Sequence, residues 1–278
     1  MFRFKQFSVR QEVSAMKVGT DGVLLGAWAT VLPEDRLALD VGTGTGVIAL
    51  MLAQRMAASA GRPGVAAEGR GRGAAGILGI DIDEAAAGEA ATNFAASPWA
   101  SHLAALPDSL QSFLAKWEQN PAFMFPNRAP NPQPGTNTPD FVPEFAAVGD
   151  SSAPRQFDLI VSNPPFFAAD VAAPDVRRSA ARQCGSLPPS ELLAAGALLL
   201  SPSGRLAVIY PPEEASGFRL EAESAGLYLS RQTRVISVAG QPPKRLLMEF
   251  SRIPGQPRFD DLVIGSAEYR ALTGDFYL

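Results

Sequence analysis

Leu37-Ala38-Leu39-Asp40-Val41-Gly42-Thr43-Gly44-Thr45-Gly46 leads directly into Val47-Ile48-Ala49-Leu50-Met51-Leu52-Ala53. The first five residues form an apolar run of strand length, and the last seven read as the start of a helix. Strand, glycine turn and helix in this order open an α/β fold. The glycines let a ligand approach the backbone closely, and the amino end of the helix offers unpaired N–H groups. Asp40 precedes the glycines, and a second apolar run, Ile77-Leu78-Gly79-Ile80, ends in Asp81. In dinucleotide-binding folds a carboxylate at the end of the second strand binds ribose hydroxyls. Their glycines are spaced G-x-G-x-x-G, whereas Gly42, Gly44 and Gly46 give G-x-G-x-G. That spacing disfavours a nicotinamide oxidoreductase.

A third run, Phe157-Asp158-Leu159-Ile160-Val161, ends in Ser162-Asn163-Pro164-Pro165-Phe166. Ligands of open α/β sheets sit at the carboxyl ends of the strands. Asn163 Oδ1 and the Pro164 carbonyl can each accept a hydrogen bond from an –NH2 group. Pro164 and Pro165 hold the turn in one shape, and Phe166 can stack on a planar ring. The group reads as a clamp for a planar substrate that carries an amino group. By itself Asn-Pro-Pro-Phe is equally a rigid turn closing a strand. Its position after a strand and downstream of a glycine turn favours the clamp.

Further strands are predicted near 103–106, 204–210, 227–236 and 245–252, and helices near 46–58, 84–96, 109–118, 188–200 and 213–224. Strands alternating with helices imply a parallel sheet with crossover helices. Residues 1–36 lack this rhythm and read as an amino-terminal segment, with a short helix within Val23 to Val31, that caps the domain spanning 37–278. Two stretches, 57–76 and 119–155, are rich in Ala, Gly and Arg or in Pro, Asn and Ala. They lack apolar periodicity and read as surface insertions.

The chain has 278 residues, one cysteine (Cys184) and one histidine (His102). A zinc site of ordinary ligand spacing is therefore excluded, and a Ser-His-Asp hydrolase is disfavoured. One cysteine allows no intrachain disulfide, which fits a reducing cytoplasm. No apolar run is long enough to span a bilayer, and no signal-peptide pattern opens the chain. The net charge of −4 does not attract nucleic acid, so RNA contact calls for local clusters of cations. Candidates are Arg3, Lys5, Arg10 and Lys17, then Arg231, Arg234, Lys244, Arg245, Arg252 and Arg258.

Asp40-x-Gly42-x-Gly44-x-Gly46 is similar to the S-adenosylmethionine loop of Rossmann-type methyltransferases. Asn163-Pro164-Pro165-Phe166 is similar to the N-P-P-[YF] motif of their amino-group branch. Five more stretches narrow the likeness: Phe4-Lys5-Gln6-Phe7, Met16-Lys17-Val18-Gly19-Thr20-Asp21-Gly22-Val23-Leu24-Leu25-Gly26-Ala27-Trp28, Ser97-Pro98-Trp99-Ala100, Lys244-Arg245-Leu246-Leu247-Met248-Glu249-Phe250-Ser251 and Asp275-Phe276-Tyr277-Leu278. Together they resemble the bacterial tRNA(Val) adenine-N6 methyltransferase family over nearly the whole chain, apart from the two insertions.

The resemblance implies a Rossmann-like, seven-stranded, mostly parallel sheet with an antiparallel last strand and helices on both faces. It implies S-adenosylmethionine as cofactor, S-adenosylhomocysteine as product, no metal, and tRNA as partner of a monomeric enzyme. The acceptor is the adenosine just 3′ of the anticodon, adenine 37. Asn163, Pro164, Pro165 and Phe166 form the catalytic group. Thr20 and Asp21 lie beside the methionine end of the cofactor, and Asp40 orders the loop or meets the methionine amino group. Gly42 and Gly44 allow close approach, Asp81 takes the ribose hydroxyls, and Asp108 takes the adenine amino group. Asp81 and Asp108 can alternatively serve as helix N-caps, although Asp83 is better placed to cap the helix at 84–96. Arg177, Arg178, Arg182 and Lys244 are the candidates for RNA phosphates. The chain departs from the family pattern at Gln183-Cys184-Gly185-Ser186. The competing readings are methylation of an rRNA adenine or a protein glutamine, and a non-catalytic RNA-binding module.

Overall fold

The computed structural model describes residues 1–60, 76–119, 156–165 and 187–277. A short hairpin, β1 (Phe2–Arg3) and β2 (Ser8–Val9), precedes helix α1 (Thr20–Trp28). The α/β alternation follows as β3 (Leu37–Val41), α2 (Val47–Ala60), β4 (Gly76–Asp81), α3 (Glu84–Ala95), β5 (Leu103–Pro107) and α4 (Leu110–Gln119). It continues as β6 (Phe157–Ser162), α5 (Pro189–Leu199), β7 (Leu200–Tyr210) and α6 (Pro212–Ser224). The last elements are β8 (Tyr228–Ile236), β9 (Arg245–Ser251), β10 (Arg258–Val263) and α7 (Ala267–Thr273).

One eight-stranded sheet runs in the order β10-β8-β9-β7-β6-β3-β4-β5. Strand β9 is antiparallel to β7 and β8, and the remaining pairs are parallel. The expected count of seven strands is thus corrected to eight. The addition, β10, lies at the edge beside β8, and its mixed sequence Arg-Phe-Asp-Asp-Leu-Val leaves half of its side chains exposed and only Leu262 buried. Such a strand needs no apolar run, because only one edge and part of one face are covered.

Alternation along the strands divides the apolar residues between two cores. Ala38, Ile77, Leu159 and Val161 pack with α1, α2 and α3 on one face. Leu37, Leu39, Val41 and Ile160 pack with α4, α5 and α6 on the other. Phe113, Phe218 and Leu50 are fully buried, and each such side chain stabilises the fold by roughly 1.5–3 kcal/mol.

The amino-terminal segment belongs to the first of these cores. Helix α1 starts three residues earlier than the apolar stretch suggests, and every residue from Gly22 to Trp28 is buried. Arg55 of α2 donates to the carbonyls of Gly26 at 2.9 Å and Ala29 at 2.7 Å. Trp28 Nε1 donates to Thr233 Oγ1 at 2.8 Å, and the Arg231 guanidinium lies 3.7 Å from the Trp28 ring centroid. At the other end of α1, Asp21 pairs with Arg245 at 2.7 Å. The helix is therefore fixed at both ends. The expected insertions overlap regular structure at three points, since 57–60 close α2, Gly76 opens β4 and Gln119 closes α4. The rest of both stretches lies outside the described residues.

Candidate active site

Strand register brings the predicted residues into one row. Val41 is paired with Ser162 and with Ile80, and Asp81 with Pro107. The next residues along β6, β3 and β5 are Asn163, Gly42 and Asp108. Asn163, Gly42, Asp81 and Asp108 thus stand at the carboxyl ends of four adjacent strands, about 4.8 Å from one strand to the next. Ser162, fully buried, donates to the Val41 carbonyl at 2.9 Å and ties the ends of β6 and β3 together.

The glycine turn has the left-handed backbone that its sequence requires, with φ of 72° at Gly42, 56° at Gly44 and 80° at Gly46. A Cβ on Gly46 would lie 2.4 Å from Phe94 Cε1, so this glycine is also needed for the turn to pack on α3. A Cβ on Gly42 would meet nothing within 4 Å. The turn presents open space there, which suits close approach of a ligand. The Gly42 and Thr43 amides both donate to the Ile80 carbonyl, at 2.9 and 3.0 Å.

Asp40 is fully buried beneath the turn. Its Oδ2 accepts from Thr43 Oγ1 at 2.7 Å, while Oδ1 has no hydrogen-bond partner among the described residues. Burial pushes its carboxyl up to about 7; the Thr43 hydroxyl and the Ala49 backbone oppose this, and the negative charge of Asp81 adds to it. Asp81 accepts from the Gly44 amide at 2.8 Å and from the Asp83 amide at 2.9 Å. Burial raises its carboxyl, and those two amides pull the other way. A carboxylate offers about four acceptor positions, so Asp81 keeps capacity for hydroxyl donors.

Neither Asp81 nor Asp108 caps a helix through its side chain. Asp83 accepts from Ala85 N at 2.9 Å and caps α3, and Ser109 Oγ accepts from Ser112 N at 3.1 Å at the start of α4. Asp108 instead pairs with Lys116 at 2.7 Å. With Lys116 51% exposed, the pair contributes no more than about 1 kcal/mol and leaves acceptor positions open on Asp108. Ile82, the residue after Asp81 at the end of β4, is 59% exposed, an apolar surface of the kind a flat ring covers.

Asn163 Oδ1 is buried and without a hydrogen-bond partner among the described residues. A buried acceptor left unmade costs about 1–3 kcal/mol, which an incoming amino group would relieve. Pro164 is buried and Pro165 half-buried. A Cβ on Gly22 would lie 4.0 Å from Asn163 Nδ2, so the first turn of α1 borders the clamp. Thr20 opens that turn and is exposed. Asp21 is engaged with Arg245. Phe166, Phe167, Arg177, Arg178, Arg182 and Cys184 lie outside the described residues.

The expected basic cluster is largely used within the fold. Arg234 forms two hydrogen bonds to Asp261, at 2.6 and 2.7 Å, and Arg258 pairs with Asp260 at 3.1 Å. Arg252 donates to the Ala197 and Leu200 carbonyls, and Lys5 to the Gly274 carbonyl. Lys244 is exposed and stands just before β9, at the end of the sheet that carries Asn163.

Two residues of α3 escaped the sequence reading. Glu89 accepts from the amides of Glu12, Val13 and Ser14, at 2.5, 3.0 and 2.8 Å. Burial acts to raise its carboxyl, but these amides and the Lys17 charge outweigh it and hold Glu89 below its ordinary value. Asn93 exchanges two hydrogen bonds with the Arg10 backbone and donates to the Thr45 carbonyl at 2.9 Å. Polar residues four apart on a helix normally signal a solvated face, and only their burial in the folded chain reveals otherwise.

Sequence comparison finds relatives over the full length of the chain. A tRNA1(Val) (adenine(37)-N6)-methyltransferase of Bacteroides fragilis is 36% identical over 283 residues, covering 100% of this chain and 97% of the relative. One of Flavobacterium johnsoniae is 38% identical over 285 residues, covering 100% and 99%. No family model matches. Among solved structures, a predicted O-methyltransferase of Agrobacterium tumefaciens superposes with a TM-score of 0.53 at 14% identity, covering 92% of this chain and 96% of that one. This last likeness concerns the fold alone.

Proposed function

The chain belongs to the tRNA1(Val) (adenine(37)-N6)-methyltransferase family, and from this premise we propose how its residues divide the work of methylating adenine 37. The reaction moves a methyl group from S-adenosylmethionine to N6 of that adenine in tRNA. S-adenosylmethionine supplies an electrophilic methyl group on sulfonium. The open turn at Gly42 and the Asp40 Oδ1, unpaired among the described residues, suit its methionine end, with Thr20 and Asp40 as the polar contacts. Asp81 is assigned to the ribose hydroxyls, Asp108 to the adenine amino group and Ile82 to the adenine face.

The observation that carries the assignment is the buried Oδ1 of Asn163, unpaired among the described residues. The N6 lone pair of adenine is delocalised into the ring and is a poor nucleophile. With Asn163 Oδ1 and the Pro164 carbonyl each accepting one N6–H, a more pyramidal nitrogen is favoured, with its lone pair free for attack. The prolines lower the reorganisation cost by holding both acceptors in one geometry. Phe166 is assigned to stack on the base, worth about 1–3 kcal/mol. After methylation the N6 proton is acidic and leaves to water, so no general base is required. The base must leave its stack to enter such a clamp, a modest cost in an anticodon loop.

Arg177, Arg178, Arg182 and Lys244 are the proposed phosphate contacts, residues 1–36 the segment that caps the domain, and a single chain in the cytoplasm the working unit. No described helix is long and apolar enough to cross a membrane. Separate measurement of turnover and cofactor affinity tests the division of labour. Asn163→Ala should lower turnover by at least about 100-fold and spare S-adenosylhomocysteine binding, and the opposite pattern would overturn it.

A further inference from the structure

Glu89 and Asn93 are buried polar residues that the reaction does not use. Three successive amides converge on the Glu89 carboxylate. Consecutive N–H groups arranged this way form an anion-binding concavity, here filled by the chain's own carboxylate. The segment it holds has no regular structure between β2 and α1, and Glu12 and Val13 are exposed. Ordering such a segment costs conformational entropy, which charge-assisted bonds offset. Its last member, Ser14, is buried, and Ser14 Oγ stands 3.7 Å from where a Cβ on Gly44 would be. Through Asn93 the same helix grips Arg10 on one side and the Thr45 carbonyl of the glycine turn on the other. One face of α3 therefore fixes residues 10–14 against the turn.

We propose that Glu89 is a positioning residue for the cofactor: its carboxylate latches residues 12–14 as a wall of the glycine turn, so that the pocket is formed before the cofactor enters. The inference rests on reading that turn as the S-adenosylmethionine site and is independent of which RNA is methylated. Helix α1, next to Asn163, is held by other contacts, Asp21 with Arg245 and Arg55 with Gly26 and Ala29. Opening the latch should therefore disturb cofactor binding and leave the clamp in place.

The test is calorimetric titration of S-adenosylhomocysteine into the full chain, with steady-state kinetics on tRNA alongside. Glu89→Gln keeps one acceptor oxygen and turns the other into a donor facing donors. It should weaken binding by about tenfold or more, raising the KM for S-adenosylmethionine while kcat at saturation stays within twofold of wild type. Val13→Pro removes one donor from the exposed side of the latch without touching α3, and should weaken binding in the same direction. The double variant should be no worse than Glu89→Gln, because both break one device. Unchanged affinity in folded Glu89→Gln overturns the proposal, as does additivity of the two effects. Should Glu89→Gln fail to fold, folded Val13→Pro decides alone: weaker binding supports the latch and unchanged binding overturns it. A wild-type chain that does not bind S-adenosylhomocysteine overturns the cofactor reading together with the latch. Wild-type binding with indifferent variants overturns the latch only.

Discussion

The Gly44 amide donates a 2.8 Å hydrogen bond to Asp81 Oδ2, so the carboxylate that ends β4 also shapes the turn that follows β3. Two strands of the sheet are coupled at the point where the cofactor is assigned. Under the proposed assignment, ribose recognition and turn geometry depend on one side chain.

Asp81→Ala should therefore raise the dissociation constant of S-adenosylhomocysteine by about 10- to 100-fold, the worth of one to two charge-assisted bonds. Asp81→Asn keeps one acceptor oxygen and should fall between the two. Calorimetry on both variants checks this, and kcat at saturating cofactor should change far less than KM.

Asp40 gives a pH signature. Its folded value of about 7 lies above the ordinary 3.8. A raised carboxyl contributes stability that is fully present below the unfolded value and is lost as pH rises through the folded value. The free chain should thus lose part of its stability between those limits. A bound ammonium group favours the ionised form, so cofactor affinity should climb by up to about tenfold per pH unit below 7 and level off above it. Titrations from acid to alkaline pH check the slope, and Asp40→Asn should flatten it.

Gly46→Ala and Gly42→Ala should separate folding from binding. At Gly46 the added methyl meets Phe94 at 2.4 Å on a backbone with φ of 80°. Overpacking and strain together should cost about 2–4 kcal/mol. At Gly42 the methyl enters open space, so the strain alone remains, about 1–2 kcal/mol. That methyl would occupy the space assigned to the ligand. Denaturant melts should rank Gly46→Ala as the less stable, while Gly42→Ala loses cofactor affinity in a chain that still folds.

Lys244 and Arg234 make a contrasting pair for RNA. Lys244→Ala should weaken tRNA binding and reduce the salt dependence of log K by about one unit of slope. Arg234, held by Asp261 through two hydrogen bonds, should give no change in slope when replaced by Ala. Binding measured across a range of salt concentrations checks both.

The inner strands and the row at their carboxyl ends were legible because they rest on local patterns. Apolar runs mark β3, β4 and β6, and glycines at alternate positions mark the turn. The Asn-Pro-Pro group is visible because prolines restrict its shape whatever surrounds it. Strand β10 was missed because an exposed edge strand carries no apolar alternation. The roles of Glu89 and Asn93 were missed because their partners lie between 48 and 83 residues away. The partners of Arg234 and Arg252, 27 and 55 residues away, were hidden in the same way, which made the basic stretch 227–258 look more available to RNA than it is. Asp108 shows the intermediate case, since its place after β5 was readable and its pairing with Lys116 was not.

The most direct test of the central claim is methyl transfer from labelled S-adenosylmethionine to bulk tRNA from cells lacking this enzyme, followed by nucleoside mass spectrometry and mapping of the modified position. Wild-type chain should produce N6-methyladenosine at adenine 37 of tRNA1(Val). Asn163→Ala should lower the rate by at least about 100-fold, as for loss of a group aimed at the reacting atom, while still binding S-adenosylhomocysteine. Full turnover by Asn163→Ala, or incorporation at another position, would contradict the account.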